Sequence, residues 1–407
     1  MSLPKHTSFK PAVAPWIQEI PSHWVEKPFY ALARERKVKN KGMKEDNLLS
    51  LSYGEIVRKD INTPNGLLPE SFETYQIVEP DDVIFRLTDL QNDKRSLRSA
   101  ICSERGIITS AYLAAQFEGI LPAFMNYLMR AYDVQKVFYS MGGGLRQSLG
   151  FEDLRRMSIV SPSIDEQVAV VNFLDHETSQ IDRLIKKKSR FIELLTEKRV
   201  VEIIAAISPK ESWKVFPFWS IAKSKSVSGH PEEGLLSVYL DRGVIPYSEG
   251  GGLVHKPAES LEKYQLVEPG DLVMNNQQAW RGSLGVSNHR GIVSPAYLVL
   301  HLDQTKIDPS FANYMFRARP YVEKFMLASM SVGDIQRQIK WPHLRVVPVT
   351  VPDVAEQKRL AVALDQEGDR IAGLITKTER SIELLKEKRS ALITAAVTGK
   401  IDARTAA

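Results

Sequence analysis

The sequence has a single cysteine, Cys102, among 407 residues. An intrachain disulfide is therefore excluded, and so is a zinc site built from several cysteines. No apolar run approaches the roughly 18 residues of a membrane-spanning helix, and the first residues lack the continuous apolar stretch of a secretory signal. We therefore expect a soluble protein of the reducing cytoplasm.

A strong excess of one charge is also missing. The formal net charge is +5, and 25% of the residues are charged. This balance is compatible with a polyanionic partner, but it is also common in proteins that bind none. The length suggests two to four folding units, so a large buried core can form.

Motifs that would carry catalysis are absent as well. The sequence has no His-Glu-x-x-His, no phosphate loop with its lysine, and no spaced set of Cys and His ligands. "SPAY" (Ser294 to Tyr297) is similar to a base-holding motif of adenine methyltransferases, but its counterpart "TSAY" (Thr109 to Tyr112) has no proline, which favours a framework strand. We expect no catalytic residue, no metal ligand and no cofactor in this chain.

What the sequence does contain is an internal repeat. "IELLTEKR", which starts at Ile192, returns as "IELLKEKR" at Ile382, an offset of 382 − 192 = 190 residues. Other segment pairs follow in the same order, with offsets of 190 or a few residues less: "SPSIDEQ" with "VPDVAEQ", "VEPDDVIF" with "VEPGDLVM", and "GIITSAYL" with "GIVSPAYL". A conserved order at nearly constant spacing predicts two copies of one fold.

Each copy ends in a predicted long helix. Ser163 and Asp353 have the spacing of helix caps whose glutamate three residues later reaches back, and Pro209 and Gly399 are placed to end the helices. Equivalent, mostly apolar positions then alternate in steps of four and three, which averages the 3.5-residue period of a coiled coil. These positions are Ile181, Ile185, Lys188, Ile192, Leu195, Arg199, Glu202 and Ala206, and then Ile371, Ile375, Thr378, Ile382, Leu385, Arg389, Leu392 and Ala396.

The remaining sequence predicts two mixed α+β domains. "YQIVEPDDVIFRL" and "YQLVEPGDLVMNN" are each typical of a strand, a turn and a second strand. The segments that begin "PAFMNYLMR" and "PSFANYMFR" predict amphipathic helices, and "RMSIVSP" and "RVVPVTVP" predict closing strands. We place the variable domains at residues 1–160 and 209–350, and the helical segments with the tail at 161–208 and 351–407.

Several of these motifs together resemble the specificity subunit of Type I restriction-modification systems. They are "PWIQEIPSHW", the paired "PSIDEQ" and "PDVAEQ", the twin "IELLxEKR" segments and "AAVTGKIDAR". The resemblance implies two pseudo-symmetric target-recognition domains joined by two long antiparallel coiled-coil spacer helices. It also implies a non-catalytic subunit that reads a bipartite, asymmetric double-stranded DNA target.

The resemblance implies partners and cofactors outside this chain. Two methyltransferase (modification) subunits would dock on the spacers and bring S-adenosylmethionine. Restriction (nuclease-translocase) subunits would join them and bring ATP and Mg²⁺. The missing catalytic motifs agree with such a role.

Polar loops after the second predicted strand of each copy are the main candidates for DNA contact, because Arg, Lys, Asn and Gln read base edges. A second pair of loops precedes the closing strands, and one tyrosine in each copy follows a strand. The candidates are Arg86, Gln91, Asn92, Lys94, Arg95, Arg98, Arg146, Gln147, Asn275, Asn276, Gln277, Gln278, Arg281, Gln336, Arg337, Tyr53 and Tyr239. For each one, an ordinary variable surface loop or packing at a domain edge stays an open alternative.

Two other functions stay open on the sequence alone. A coiled-coil protein-interaction scaffold without DNA readout would show no salt-dependent binding to duplex DNA in its assembled complex. An enzyme with an unrecognised site would be active as the purified chain, without a partner.

Overall fold

The computed structural model describes residues 3–62, 69, 71–90, 97–141, 148–250, 257–332 and 336–405. The chain forms two compact units of mixed helix and sheet. Unit 1 comprises Met1–Lys188 with Arg380–Ala407, and unit 2 is Ser189–Glu379. Both borders between the units fall inside long helices.

Unit 1 contains twelve described strands, three short helices and parts of two long ones. The strands are β1 (Phe9–Pro11), β2 (Glu19–Pro21), β3 (Val25–Pro28), β4 (Ala33–Glu35), β5 (Leu49–Ser52), β6 (Glu55–Arg58), β7 (Gln76–Val78), β8 (Val83–Phe85), β9 (Ser99–Ile101), β10 (Gly106–Ile108), β11 (Leu113–Phe117) and β12 (Ser158–Ser161). The short helices are α1 (Pro122–Val134), α2 (Val137–Met141) and α3 (Phe151–Leu154), and the first long helix is α4 (Ile164–Ile207).

From β3 onward, the order of unit 1 recurs in unit 2. Its described strands are β13 (Lys214–Pro217), β14 (Ala222–Lys225), β15 (Leu236–Tyr239), β16 (Gly243–Pro246), β17 (Gln265–Val267), β18 (Leu272–Asn275), β19 (Leu284–Val286), β20 (Gly291–Val293), β21 (Tyr297–Leu302), β22 (Met330–Val332), β23 (Gln336–Gln338) and β24 (Pro348–Val351). Its helices are α5 (Phe218–Ile221), α6 (Pro309–Arg317), α7 (Arg319–Leu327), α8 (Trp341–Leu344) and the long α9 (Val354–Val397).

The two units share their sheet topology. A four-stranded antiparallel sheet runs β4-β11-β8-β9 in unit 1 and β14-β21-β18-β19 in unit 2. The closing strand pairs with the first framework strand in both, as β12 with β3 and β24 with β13. The repeat in the sequence is thus also a repeat of strand pairing.

The strand-turn-strand predictions are confirmed as elements, but their two strands do not pair with each other. β7 pairs with β10 and β8 with β11; β17 and β18 likewise pair with β20 and β21. A left-handed residue, Asp81 (φ 70°) or Gly270 (φ 93°), turns the chain from one sheet into the next.

The predicted amphipathic helices are each broken in two. In unit 1 the break follows Val134, where Lys136 adopts φ 63°. In unit 2 it lies at Ala318, two residues before Pro320, which blocks continuation of the helix. Phe124, Leu128, Phe311 and Met315 on these helices are completely buried in the two cores.

The predicted cap residues of the long helices are confirmed, but the predicted return contacts of the glutamates are not. Ser163 Oγ accepts a hydrogen bond from Glu166 N (3.3 Å), and Asp353 Oδ1 accepts one from Glu356 N (2.8 Å). The glutamate side chains do not complete the reciprocal cap, because Glu166 contacts His23 and Glu356 contacts Lys210.

A buried glutamine follows each of these glutamates and ties the helix start to its unit. Gln167 and Gln357 have no exposed surface. The Nε2 atom of each donates to a proline carbonyl, Pro162 or Pro352, at 2.9 Å. The Oε1 atoms accept from the backbone N of Leu121 (2.7 Å) and of Asp308 (2.8 Å), the residues that precede α1 and α6.

The positions with 4-3 spacing lie largely on the covered side of the helices. Ile181, Leu195, Ile371, Thr378, Ile382, Leu392 and Ala396 are buried, whereas Arg199 is exposed. Gly399, at φ 76°, ends α9 as predicted, and its N donates to Ala396 O (3.2 Å). Within the described ranges, no helix is both long and apolar enough to cross a membrane.

Candidate nucleic-acid interface

The loop between β8 and β9 holds the first group of predicted DNA contacts. Arg86 is half-buried directly after β8, and its N donates to Arg98 O (2.9 Å). Gln91, Asn92, Lys94 and Arg95 lie outside the described residues. Their assignment stays a prediction.

Arg98 does not belong in the candidate set. Its side chain has no exposed surface, and its guanidinium donates to the carbonyl oxygens of Thr88 (3.1 Å) and Arg86 (3.5 Å). A buried guanidinium that is committed to backbone oxygens cannot present itself to a base edge. The sequence could not reveal this, because a polar run does not tell which arginine turns inward. Arg98 instead fixes the base of the loop.

The equivalent loop of unit 2, after β18, is fully described. Asn275 and Asn276 are half-buried, whereas Gln277, Gln278 and Arg281 are exposed. Asn275 Oδ1 accepts from Gln277 N (3.1 Å), which shapes the turn. Beside Asn275 in the sheet, burial raises the pKa of the Tyr297 hydroxyl, so this group stays neutral.

A tryptophan braces the exposed end of this loop. Trp280 Nε1 donates to Gln277 O (2.8 Å), and the Arg281 guanidinium carbon lies 4.6 Å from the centre of the indole ring. Stacking of this kind orders an arginine side chain that would otherwise be free in solvent.

In both units, a described residue that follows the second group of candidates is hydrogen-bonded to the residue after the first arginine or asparagine of the first group. Leu149 N donates to Leu87 O (2.9 Å) in unit 1, and Ile339 N donates to Asn276 O (2.8 Å) in unit 2. An equivalent backbone hydrogen bond therefore joins described residues at the borders of the two candidate loops in each copy.

The side chains of this second group are only partly described. Arg146, Gln147 and the side chain of Gln336 lie outside the described part of the chain, although the backbone of Gln336 forms β23. The Arg337 guanidinium donates to Met326 O (3.1 Å) and Ser329 Oγ (3.2 Å), so it is partly committed within the unit.

The two candidate tyrosines differ. Tyr53 is 76% exposed at the tip of the β5–β6 hairpin, where it and Gly54 both have positive φ (48° and 82°). Tyr239 is half-buried, and its hydroxyl donates to Gly250 O (2.6 Å). Tyr53 has a ring free to stack on a partner, while Tyr239 holds a loop.

The framework interpretation of "TSAY" and "SPAY" is supported by a repeated hydrogen bond. Gln76 Nε2 donates to Tyr112 O (2.5 Å), and Gln265 Nε2 donates to Tyr297 O (2.6 Å). These bonds connect strands of two different sheets, β7 with the residue before β11 and β17 with β21, which is a structural role.

One cluster was missed by the sequence reasoning, which expected no metal ligands. His6, His23 and Glu166 place one ligand atom each within 4.8 Å of one another. The residues are far apart in the sequence, and the sequence signal near them is that His23 precedes Trp24, which has a counterpart in the second copy at Trp213. Only the fold brings them together.

Comparisons with known proteins give consistent relatives. No family model matches the chain. It is 25% identical over 272 residues to the Type I restriction enzyme MjaVIII specificity subunit of Methanocaldococcus jannaschii, covering 61% of this chain and 60% of the relative. It is 24% identical over 153 residues to the StySPI specificity subunit of Salmonella potsdam, covering 37% and 33%. The matches thus span less than two thirds of either relative.

Two solved structures show the same fold. A chain from a study of complex assembly and conformational transition of the type I R-M system has a TM-score of 0.69 at 15% identity, covering 94% of this chain and 99% of that one. The HsdS subunit from Thermoanaerobacter tengcongensis has a TM-score of 0.55 at 15% identity, covering 94% and 98%. The resemblance seen in the sequence is therefore confirmed: the curated relatives of this chain are specificity subunits of Type I restriction enzymes, and its fold is that of HsdS.

Proposed function

We propose that this chain is the DNA sequence-specificity subunit of a Type I restriction-modification complex. Each unit would read one part of a bipartite, asymmetric target. The observation that carries the proposal is the repeated loop pairing, in which Leu149–Leu87 and Ile339–Asn276 join two polar loops on one framework. The frameworks match while the loop sequences differ, as expected of two sites that bind different base sequences.

The two units would be related by a pseudo-twofold axis, with α4 and α9 as antiparallel coiled-coil spacers. Each helix has 44 residues, about 66 Å at 1.5 Å per residue. That length is enough to set a fixed distance between two half-sites, which is how paired DNA readers select spacing. In this proposal the two recognition domains are residues 1–160 and 209–350, and the helical segments are residues 161–208 and 351–407.

Catalysis would reside in partners. Methyltransferase subunits docked on the spacers would supply S-adenosylmethionine, and nuclease-translocase subunits would supply ATP and Mg²⁺. In this proposal the chain positions the partners in the cytoplasm and performs no reaction.

A domain exchange tests the modular reading. Replacing residues 209–350 by the matching domain of a relative should change one half of the methylated motif, measured by methylome sequencing of cells that express the complex. The matched exchange of residues 1–160 should change the other half. A change of both halves by either chimera would contradict separate recognition, and an assembled complex without salt-dependent duplex binding would favour the scaffold function instead.

A further inference from the structure

The cluster of His6, His23 and Glu166 gathers three distant parts of unit 1. His6 precedes β1, His23 lies in the turn between β2 and β3, and Glu166 is in the first turn of α4. His23 Nε2 lies 3.0 Å from Glu166 Oε1, and the His6 and His23 ring centres are 5.4 Å apart. Two imidazoles therefore face one carboxylate.

The Glu166 carboxylate shares its nearest arginine with a second carboxylate. It is only 4% exposed, and a buried carboxylate needs a compensating charge. Arg404 approaches it at 3.7 Å, but that guanidinium makes two 2.8 Å hydrogen bonds to Asp402. In unit 2 the equivalent Glu356 is less buried and pairs with the ammonium of Lys210 at 3.4 Å. The two copies thus differ at this position.

We propose that His6, His23 and Glu166 bind one divalent transition-metal ion, with Zn²⁺ as the best fit. Two imidazole nitrogens and one carboxylate suit zinc better than the all-oxygen preference of Mg²⁺ or Ca²⁺. Tetrahedral zinc with bonds of about 2.0 to 2.1 Å separates its ligand atoms by about 3.3 Å. The three ligand atoms lie within 4.8 Å of one another, so binding requires them to move closer by side-chain rotation, for which His23 has room because its side chain is 47% exposed.

A second carboxylate lies near His6. Asp402 Oδ2 is 3.8 Å from His6 Nδ1, beyond hydrogen-bond distance, so Asp402 adds negative charge beside the proposed site without orienting the ring. Asp402 N also donates to Pro4 O (3.0 Å). The ion would tie the segment before β1 and the segment after α9 to the start of α4. This role does not depend on DNA recognition.

Cobalt binding by the metal-free, full-length chain tests the proposal. Titration with Co²⁺ should give the visible absorption of a low-symmetry four-coordinate site at one equivalent per chain, and Zn²⁺ should displace it. His23→Gln should weaken binding at least about 10-fold, since a ligand is lost. Because the His23 side chain is about half exposed, the variant should still fold, and circular dichroism checks this.

His230→Gln is the matched control. His230 is a histidine of unit 2 whose Nδ1 lies 3.3 Å from Glu232, so it provides one imidazole and one carboxylate without a second histidine. It should bind Co²⁺ like the unmodified chain, and Zn²⁺ should raise the Tm of both but not of His23→Gln. Absence of a stoichiometric site in the unmodified chain, or equal affinities for His23→Gln and the unmodified chain, would overturn the proposal.

Discussion

At the scale of single residues, Arg98 and Arg281 show that exposure decides whether a loop arginine can contact DNA. Both are arginines in loops that the sequence assigned to DNA contact, yet Arg98 is completely buried and Arg281 is exposed against Trp280. The sequence shows that both side chains have the chemistry for DNA contact. Whether such a side chain points to solvent or into the core depends on tertiary packing. The same holds for Tyr53 and Tyr239.

Substitution of Arg281 is therefore the most direct test of the proposed DNA contact. Arg281→Ala should reduce the affinity of the assembled complex for its specific duplex about 10- to 100-fold, which corresponds to a base or phosphate contact of about 1 to 3 kcal/mol. Fluorescence anisotropy at fixed salt measures this. Arg380→Ala removes an exposed arginine that pairs with Glu383 on α9 and serves as the control. Equal effects of the two substitutions would remove Arg281 from the interface.

At the scale of elements, the long helices, the strand-turn-strand segments, the closing strands and the Ser163 and Asp353 caps were predictable from the sequence because their signals are local. Apolar spacing, Ser163, Asp353 and Gly399 each act within a few residues. Sheet partners and the split of the two amphipathic helices did not follow, since pairing of β7 with β10 depends on contacts about 30 residues apart. The cluster of His6, His23 and Glu166 could not be predicted for the same reason, because the three residues meet only after folding.

The end of α9 gives a test of helix termination. At Gly399, φ is 76° and an added Cβ would lie 2.3 Å from Pro21 Cδ, so Gly399→Ala should lower the free energy of unfolding by at least about 1 kcal/mol. Gly373→Ala, in the middle of the same helix with nothing within 4 Å, should instead raise it by up to about 1 kcal/mol. Urea unfolding distinguishes them, and a shift of the same sign in both would refute this account.

At the scale of the whole molecule, the proposed spacers predict how the target would change. A Cβ at Gly368 would lie 3.5 Å from Arg199 Nη2, so α4 and α9 face each other there within unit 2. Inserting one heptad after Arg199 and one after Gly368 preserves the 3.5-residue register and adds about 10.5 Å. The gap in the methylated motif should grow by about 3 base pairs, at about 3.4 Å each.

Methylome sequencing reads the gap directly. The control is a heptad inserted after Arg199 alone, which breaks the match between the helices and should abolish modification. A complex with both insertions that methylates the original motif would show that the helices do not set the spacing.

The division of the chain into units has a further consequence for how the protein is made. Unit 2 is one continuous segment, whereas unit 1 needs residues 380–407 to complete it. Leu392, Ala396 and Val397 belong to the same hydrophobic cluster as Val170 and Leu174. During synthesis, Val170 and Leu174 therefore stay without these partners until the ribosome has translated about 220 more residues. The domain that begins first is the one that finishes last, and its unfinished surface is where chaperones would be needed.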